Sequence, residues 1–147
     1  YYSRKRIRNR HYFCNHVAIN IKYMREIILI DDDQVNNYIC EILIKSVLPD
    51  LTLRSIVDSN EALEVLNENT IGESTIILLD LNLPFMDGWG FLEKFKEKGV
   101  SCQIYILTSS VNPVDLERAN NDPAVKGYLL KPLTVDNLKA IAARMRA

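Results

Sequence analysis

At 147 residues, 48% hydrophobic and 25% charged, the chain has the size and balance of one globular domain, long enough to bury a core without disulfides or structural metal. The net charge of −1 hides an asymmetry. Arg4, Lys5, Arg6, Arg8, Arg10 and Lys22 lie in residues 1–23 with no acidic residue, leaving 12 of the 18 basic residues against all 19 acidic ones in the remainder. An acidic body argues against nucleic acid as the ligand of the folded part, since phosphate backbones reward lysine and arginine patches. No apolar run reaches membrane-spanning length, which speaks against a membrane partner. The basic start, interrupted by His11, Asn15, His16 and Asn20, makes a poor secretion signal. Cys14, Cys40 and Cys102 are odd in number and lack metal-ligand spacing, the pattern of reduced thiols in a cytoplasmic protein.

Residues 1–23 read as a basic leader, disordered or outside the native frame, because Met24-Arg25-Glu26 resembles a start directly before the first apolar run. From residue 24 on, apolar runs alternate with helical periodicity, the pattern of successive βα units. The first strand is expected over Glu26 to Ile30. Val35, Ile39, Ile42, Leu43 and Val47 then recur at helical spacing until Pro49 closes the helix. Leu51, Leu53, Ile56 and Val57 mark a second strand, with Ser59-Asn60 as the cap of a helix carrying Ala62, Leu63, Val65 and Leu66. Gly72 ends that connection.

Thr75 to Leu79 is the most apolar strand. The loop from Asp80 to Gly88 follows, and then a helix through Phe91, Leu92 and Phe95. Gln103 to Leu107 is the fourth strand. Asn112-Pro113 pairs an N-cap with proline at the first helical position, and Asp122-Pro123 stops that helix. Val125 to Leu130 is the fifth strand, and Thr134 caps a last helix reaching Met145. Five βα units, without repeats or internal linkers, imply a parallel sheet with helices on both faces.

Three of these runs end on residues suited to phosphate and metal chemistry: Ile27 to Ile30 on Asp31-Asp32-Asp33, Ile76 to Leu79 on Asp80, and Val125 to Leu130 on Lys131-Pro132. Continuous apolar runs suit strands buried on both faces. Ligands of open α/β sheets sit outside the carboxyl ends of the strands. Three aspartates and a lysine converging there would form a magnesium and phosphoryl site, although a lone aspartate at a strand end is more often a cap or turn residue.

In family order, the acidic cluster Asp31-Asp32-Asp33, the stretch Asp80-Leu81-Asn82-Leu83-Pro84-Phe85-Met86-Asp87-Gly88, Thr108 followed by Ser109, and Gly127-Tyr128-Leu129-Leu130-Lys131-Pro132 resemble the receiver domain of two-component response regulators. The resemblance covers residues 24–147. It implies a flavodoxin-like, doubly wound sheet of five parallel strands in the order 2-1-3-4-5, with five helices on two faces. Asp80 is then the phosphoacceptor, with Asp32 on Mg2+ directly, Asp31 at or near the metal, and the Asn82 backbone carbonyl completing the ligands beside Asp80. Lys131 pairs with a phosphoryl oxygen, and Pro132 follows a cis peptide. Thr108 moves toward the phosphoryl group and opens space for the Tyr128 ring, a switch read by a partner. Asp33 caps the first helix. Asn82 and Ser110 tune phosphoryl loss, and small Ser110 implies a short to moderate lifetime.

The implied partners are a histidine kinase or histidine phosphotransfer protein as donor and a downstream protein as reader. With the fifth helix last in the sequence, no output domain is expected, and the leader has no counterpart in the usual receiver. Two other readings make different demands. A receiver-like scaffold would bind partners without phosphorylation. A Mg2+-dependent phosphatase with an aspartyl nucleophile would need an acid two residues after the nucleophile, where this chain has Asn82.

Overall fold

The structure, a computed structural model, describes residues 11–14, 17–20 and 26–144. Its elements in chain order are β1 (His11–Cys14), β2 (Val17–Asn20), β3 (Glu26–Ile30), α1 (Gln34–Val47), β4 (Thr52–Ile56), α2 (Ser59–Val65), β5 (Thr75–Leu79), α3 (Gly88–Lys96), β6 (Gln103–Thr108), α4 (Pro113–Asn121), β7 (Val125–Leu130) and α5 (Val135–Arg144). The main sheet has five parallel strands in the order β4-β3-β5-β6-β7, the expected 2-1-3-4-5 arrangement of the five βα units.

Within the stretch read as a leader, β1 and β2 form a separate antiparallel pair with His11 opposite Asn20 and Cys14 opposite Val17. Tyr12, Phe13, Val17 and Ile19 are strand-favouring residues. The other residues of the leader and Met145 lie outside the described residues.

Side chains alternate across the central strands, so one tetrapeptide feeds two cores. Ile27 and Leu29 of β3, with Ile76 and Leu78 of β5, pack with Ile44 and Leu48 at the end of α1 and with Leu138 and Ile141 of α5. Ile28, Ile30, Ile77 and Leu79 point to the opposite face and pack with Ala62 of α2, Phe91 and Phe95 of α3 and Ala119 of α4. The Phe91 and Phe95 rings stack with centroids 5.4 Å apart. Each fully buried isoleucine, leucine or phenylalanine contributes about 2 kcal/mol of transfer free energy, which is why β3 and β5 sit at the centre. The apolar run of β7 is instead an edge strand, with Leu130 half-exposed.

Two local expectations change. In α1 the buried face is Asn37, Cys40, Ile44 and Val47, whereas Val35, Ile39 and Ile42 of the sequence periodicity face outward together with Tyr38. The apolar residues occupy two faces of this helix, so spacing alone did not separate them. In α2 the cap is Asp58, which accepts from the amides of Asn60 and Glu61, and Ser59 is the first helical residue. A carboxylate at the helix start also meets the favourable dipole end, so it outcompetes Ser59, whose hydroxyl donates to the Met86 carbonyl at 2.8 Å.

Burial pushes the thiols of Cys40 and Cys102 up to about 11. Both are therefore protonated at pH 8, and neither attacks electrophiles readily. In a Cys14→Ser variant, a disulfide thiol reagent at pH 8 is expected to label the folded protein at least about tenfold more slowly than the unfolded chain. Labelling at equal rates would show that these thiols are not held in the core.

Candidate functional site

The register of β3 and β5 aligns Ile30 with Leu79, so the next residues, Asp31 and Asp80, leave adjacent strands side by side. The Asp80 amide donates to the Ile30 carbonyl at 2.9 Å, and the Asp31 amide to Ile56 at 3.1 Å, which extends both ladders one step beyond the strands. Across the sheet, Thr108 pairs with Leu130, and the Lys131 amide donates to the Thr108 carbonyl at 2.9 Å. Four elements thus deliver Asp31, Asp80, Thr108 and Lys131 to one edge.

The Lys131 ammonium bridges the two aspartates, with Nζ 2.6 Å from Asp31 Oδ2 and 2.9 Å from Asp80 Oδ2. Asp31 and Asp80 are buried, at 4% and 5% exposure, and Asp32 is exposed. The peptide between Lys131 and Pro132 is cis. Burial raises the Asp31 carboxyl above the usual carboxylate range, against the lowering effect of Lys131 and of the Asp33 amide. Burial also opposes the charge on Lys131, but its bonds to Asp31 and Asp80 outweigh that and hold the ammonium above the ordinary lysine value.

Asp31 is held from three sides. Its Oδ1 accepts from the Asp33 amide at 2.8 Å, its Oδ2 from Asn36 Nδ2 at 2.9 Å, and its backbone carbonyl from Asn37 Nδ2 at 2.8 Å. Asp33 itself caps α1, accepting from the amides of Val35 and Asn36 at 3.0 and 3.1 Å. Asn36 and Asn37 were not singled out in the sequence. Their only signal is that two adjacent asparagines stand at the start of α1, directly after the acidic cluster.

One carboxylate oxygen from each of Asp31, Asp32 and Asp80 lies within 4.8 Å of the others. Three hard oxygen donors, carrying three negative charges against one ammonium, fit a small divalent cation such as Mg2+ better than a soft metal. Asn82 is exposed, and its amide donates to Asp80 Oδ1 at 3.3 Å.

Thr108 is fully buried, and its hydroxyl oxygen accepts from the Ser110 amide at 3.3 Å. Tyr128 is partly buried and its hydroxyl donates to the Ser110 carbonyl at 2.9 Å. The Ser110 hydroxyl donates to Asp115 Oδ2 at 2.6 Å, and Trp89 Nε1 to Asp115 Oδ1 at 3.0 Å. These two hydrogen bonds hold the Asp115 carboxyl below the usual carboxylate range. Trp89 and Asp115 were not anticipated, because a hydrogen bond between two helices leaves no periodic trace.

Comparison with known proteins extends this geometry. The model of the response regulator receiver domain matches residues 27–143. The nitrate/nitrite response regulator NarL of Escherichia coli K12 is 35% identical over 112 residues, covering 76% of this chain and 50% of NarL. The sensor histidine kinase RcsC of Salmonella typhi is 26% identical over 117 residues, covering 80% of this chain and 12% of the kinase. The chain therefore spans half or less of the length of these two relatives. A two-component response regulator from Cytophaga hutchinsonii has the same fold at a TM-score of 0.76 and 27% identity, over 84% of this chain and 97% of that one. A receiver protein from Dyadobacter fermentans, at 22% identity, matches in fold with a TM-score of 0.71 over 83% and 98%. With a family match that runs from the first strand of the parallel sheet into its last helix, the chain belongs to the response regulator receiver domain family of two-component signalling.

Proposed function

We propose that this receiver accepts a phosphoryl group on Asp80 from a phosphohistidine of a histidine kinase or histidine phosphotransfer protein, and that a downstream protein reads the result. The observation that carries the reading is the pair of buried carboxylates at adjacent strand ends, bridged by one lysine ammonium. A carboxylate oxygen of Asp80 attacks phosphorus in line and the P–N bond breaks. The imidazole leaves with that electron pair and takes a proton from solvent, and Asp80 becomes an acyl phosphate.

Lys131 is poised to exchange its Asp80 contact for a phosphoryl oxygen. Asp31, Asp32, Asp80 and the Asn82 carbonyl would hold Mg2+, which supplies charge neutralisation between carboxylates and phosphoryl oxygens when bound. Thr108 would meet the phosphoryl group by its hydroxyl, giving up its bond from the Ser110 amide, and Tyr128 would follow. Asn82 and Ser110 border the approach of the hydrolytic water and tune how long the acyl phosphate lasts. In this reading the protein is a signalling receiver whose only chemistry is its own phosphorylation and dephosphorylation.

Intact mass after incubation with acetyl phosphate, with and without Mg2+, tests this. The expected result is one added phosphoryl group that requires Mg2+ and is absent in Asp80→Asn. Absence of any gain in the folded wild type, with both acetyl phosphate and a phosphohistidine protein as donors, would leave the scaffold reading.

A further inference from the structure

The loop from Ser109 to Asn112 joins the strand end that carries Thr108 to the start of α4. Ser110 is its node. Its amide donates to the Thr108 hydroxyl at 3.3 Å and its carbonyl accepts from Tyr128 at 2.9 Å. Its hydroxyl donates to Asp115 at 2.6 Å and accepts from the Asn112 amide at 3.3 Å. Asp115, in the first turn of α4, divides its two oxygens between Ser110 and the Trp89 indole of α3. Arg118, one turn further along α4, lies over the Trp89 ring with its guanidinium carbon 4.4 Å from the centroid. The side chain of Asp115 therefore ties together the loop, α3 and α4, and none of its contacts is to the acidic cluster.

We propose that Asp115 is a positioning residue that latches the loop after Thr108 to Trp89 and so sets how readily the site adopts its phosphoryl-bound arrangement. The inference rests on the phosphoacceptor reading given above. Drawing Thr108 toward a phosphoryl group removes the acceptor of the Ser110 amide, and displacing Tyr128 removes the donor to its carbonyl. The Ser110 hydroxyl then keeps its bond from the Asn112 amide, which lies within the loop, and its bond to Asp115, which ties the loop to α4. Charge-assisted hydrogen bonds are the stronger kind, so this restraint opposes movement of the loop. A ligand shifts a two-state equilibrium only by its preference for one state, and weakening the latch leaves less for that ligand to overcome. Asparagine at position 115 would keep one acceptor for Trp89 and offer an amide to the Ser110 oxygen, preserving the connection without the charge.

The chain contains a single tryptophan, Trp89, so fluorescence excited at the red edge, where its tyrosines do not absorb, reports on this latch. The test uses the full chain with Mg2+ and beryllofluoride, a phosphoryl mimic, on wild type, Asp115→Asn and Asp115→Ala. Binding is followed by Trp89 fluorescence and, independently, by calorimetry; hydrogen exchange is measured on the loop amides without the mimic. In Asp115→Ala, beryllofluoride is expected to bind about fivefold more tightly or better, with Asp115→Asn in between. The exchange of residues 109–112 should rise at least about tenfold, while β3 and β5 stay protected. Wild-type binding with an affinity that Asp115→Ala leaves unchanged or weakens overturns the latch alone. No binding of the mimic to folded wild type overturns the phosphoacceptor reading and removes the latch's role with it.

Discussion

Replacing Lys131 with methionine is expected to lower the stability at pH 7 by about 2–4 kcal/mol, read as the shift of a urea unfolding curve. The physical reason is local. Asp31 and Asp80 are 4% and 5% exposed and lie beside each other, and Lys131 contacts both at 2.6 and 2.9 Å. Removing the ammonium leaves two neighbouring carboxylates with little water to screen them. The lysine head stands at the rim of the sheet, so the loss is set below that of a fully enclosed pair. Lys131→Arg, which keeps the charge, should recover most of the stability while failing to restore the rate of phosphorylation, because a planar fork does not fit where a point charge stood. In an Asp31→Asn background the same Lys131→Met change should cost about half as much, a coupling that a double-mutant cycle measures directly. Equal costs in both backgrounds would mean that Lys131 acts by packing its alkyl stem and not by its charge.

Gly88→Ala is expected to be as damaging, by about 3 kcal/mol or more, and to reduce Asp80 phosphorylation more than about tenfold. A Cβ built on Gly88 would stand 2.3 Å from the Asp80 carbonyl oxygen and 2.8 Å from Leu81 Cα. Both are backbone atoms, so no rotamer change relieves the clash. The Gly88 amide donates to the Leu81 carbonyl at 3.0 Å, which pins the start of α3 against the segment that bears the proposed nucleophile. An added methyl must therefore either break that bond or push Asp80 away from Lys131. Gly72→Ala provides the control, since a Cβ there meets nothing within 4 Å and its effect on stability should stay within about 0.5 kcal/mol. If Gly88→Ala unfolds at the same urea concentration as wild type, the close approach of α3 to Asp80 is not rigid.

The site was legible in the sequence wherever a strand end announces its residue. Asp31, Asp80 and Lys131 each follow a short apolar run, and the parallel register carries such residues to one edge without further information. Caps were legible for the same local reason. Asp33 and Asn112 stand immediately before helical periodicity; Asp33 accepts from the amides of Val35 and Asn36, and Asn112 from that of Val114. Where two candidates were adjacent, as at Asp58 and Ser59, local pattern did not choose; the hydroxyl of Ser59 found a partner 27 residues away in the Met86 carbonyl, and Asp58 took the cap.

What only the tertiary structure decided are contacts between elements whose order in the chain says nothing about their distance. The outward face of α1 is as apolar by spacing as its inward face, and the side on which α1 meets the sheet determined that Cys40 and Ile44 are core while Val35 and Ile39 are not. The bond from Trp89 to Asp115 crosses 26 positions and joins two helices, so no periodicity could encode it. The same holds for the 2.3 Å limit at Gly88, which exists because α3 begins directly over the Asp80 peptide. The sequence by itself determined five βα units, their strand-end chemistry and the family they resemble, because these depend on alternation, short-range capping and residue order. Packing decided which face of each helix is buried and which side chains brace the site, because those follow from burial and close approach in three dimensions.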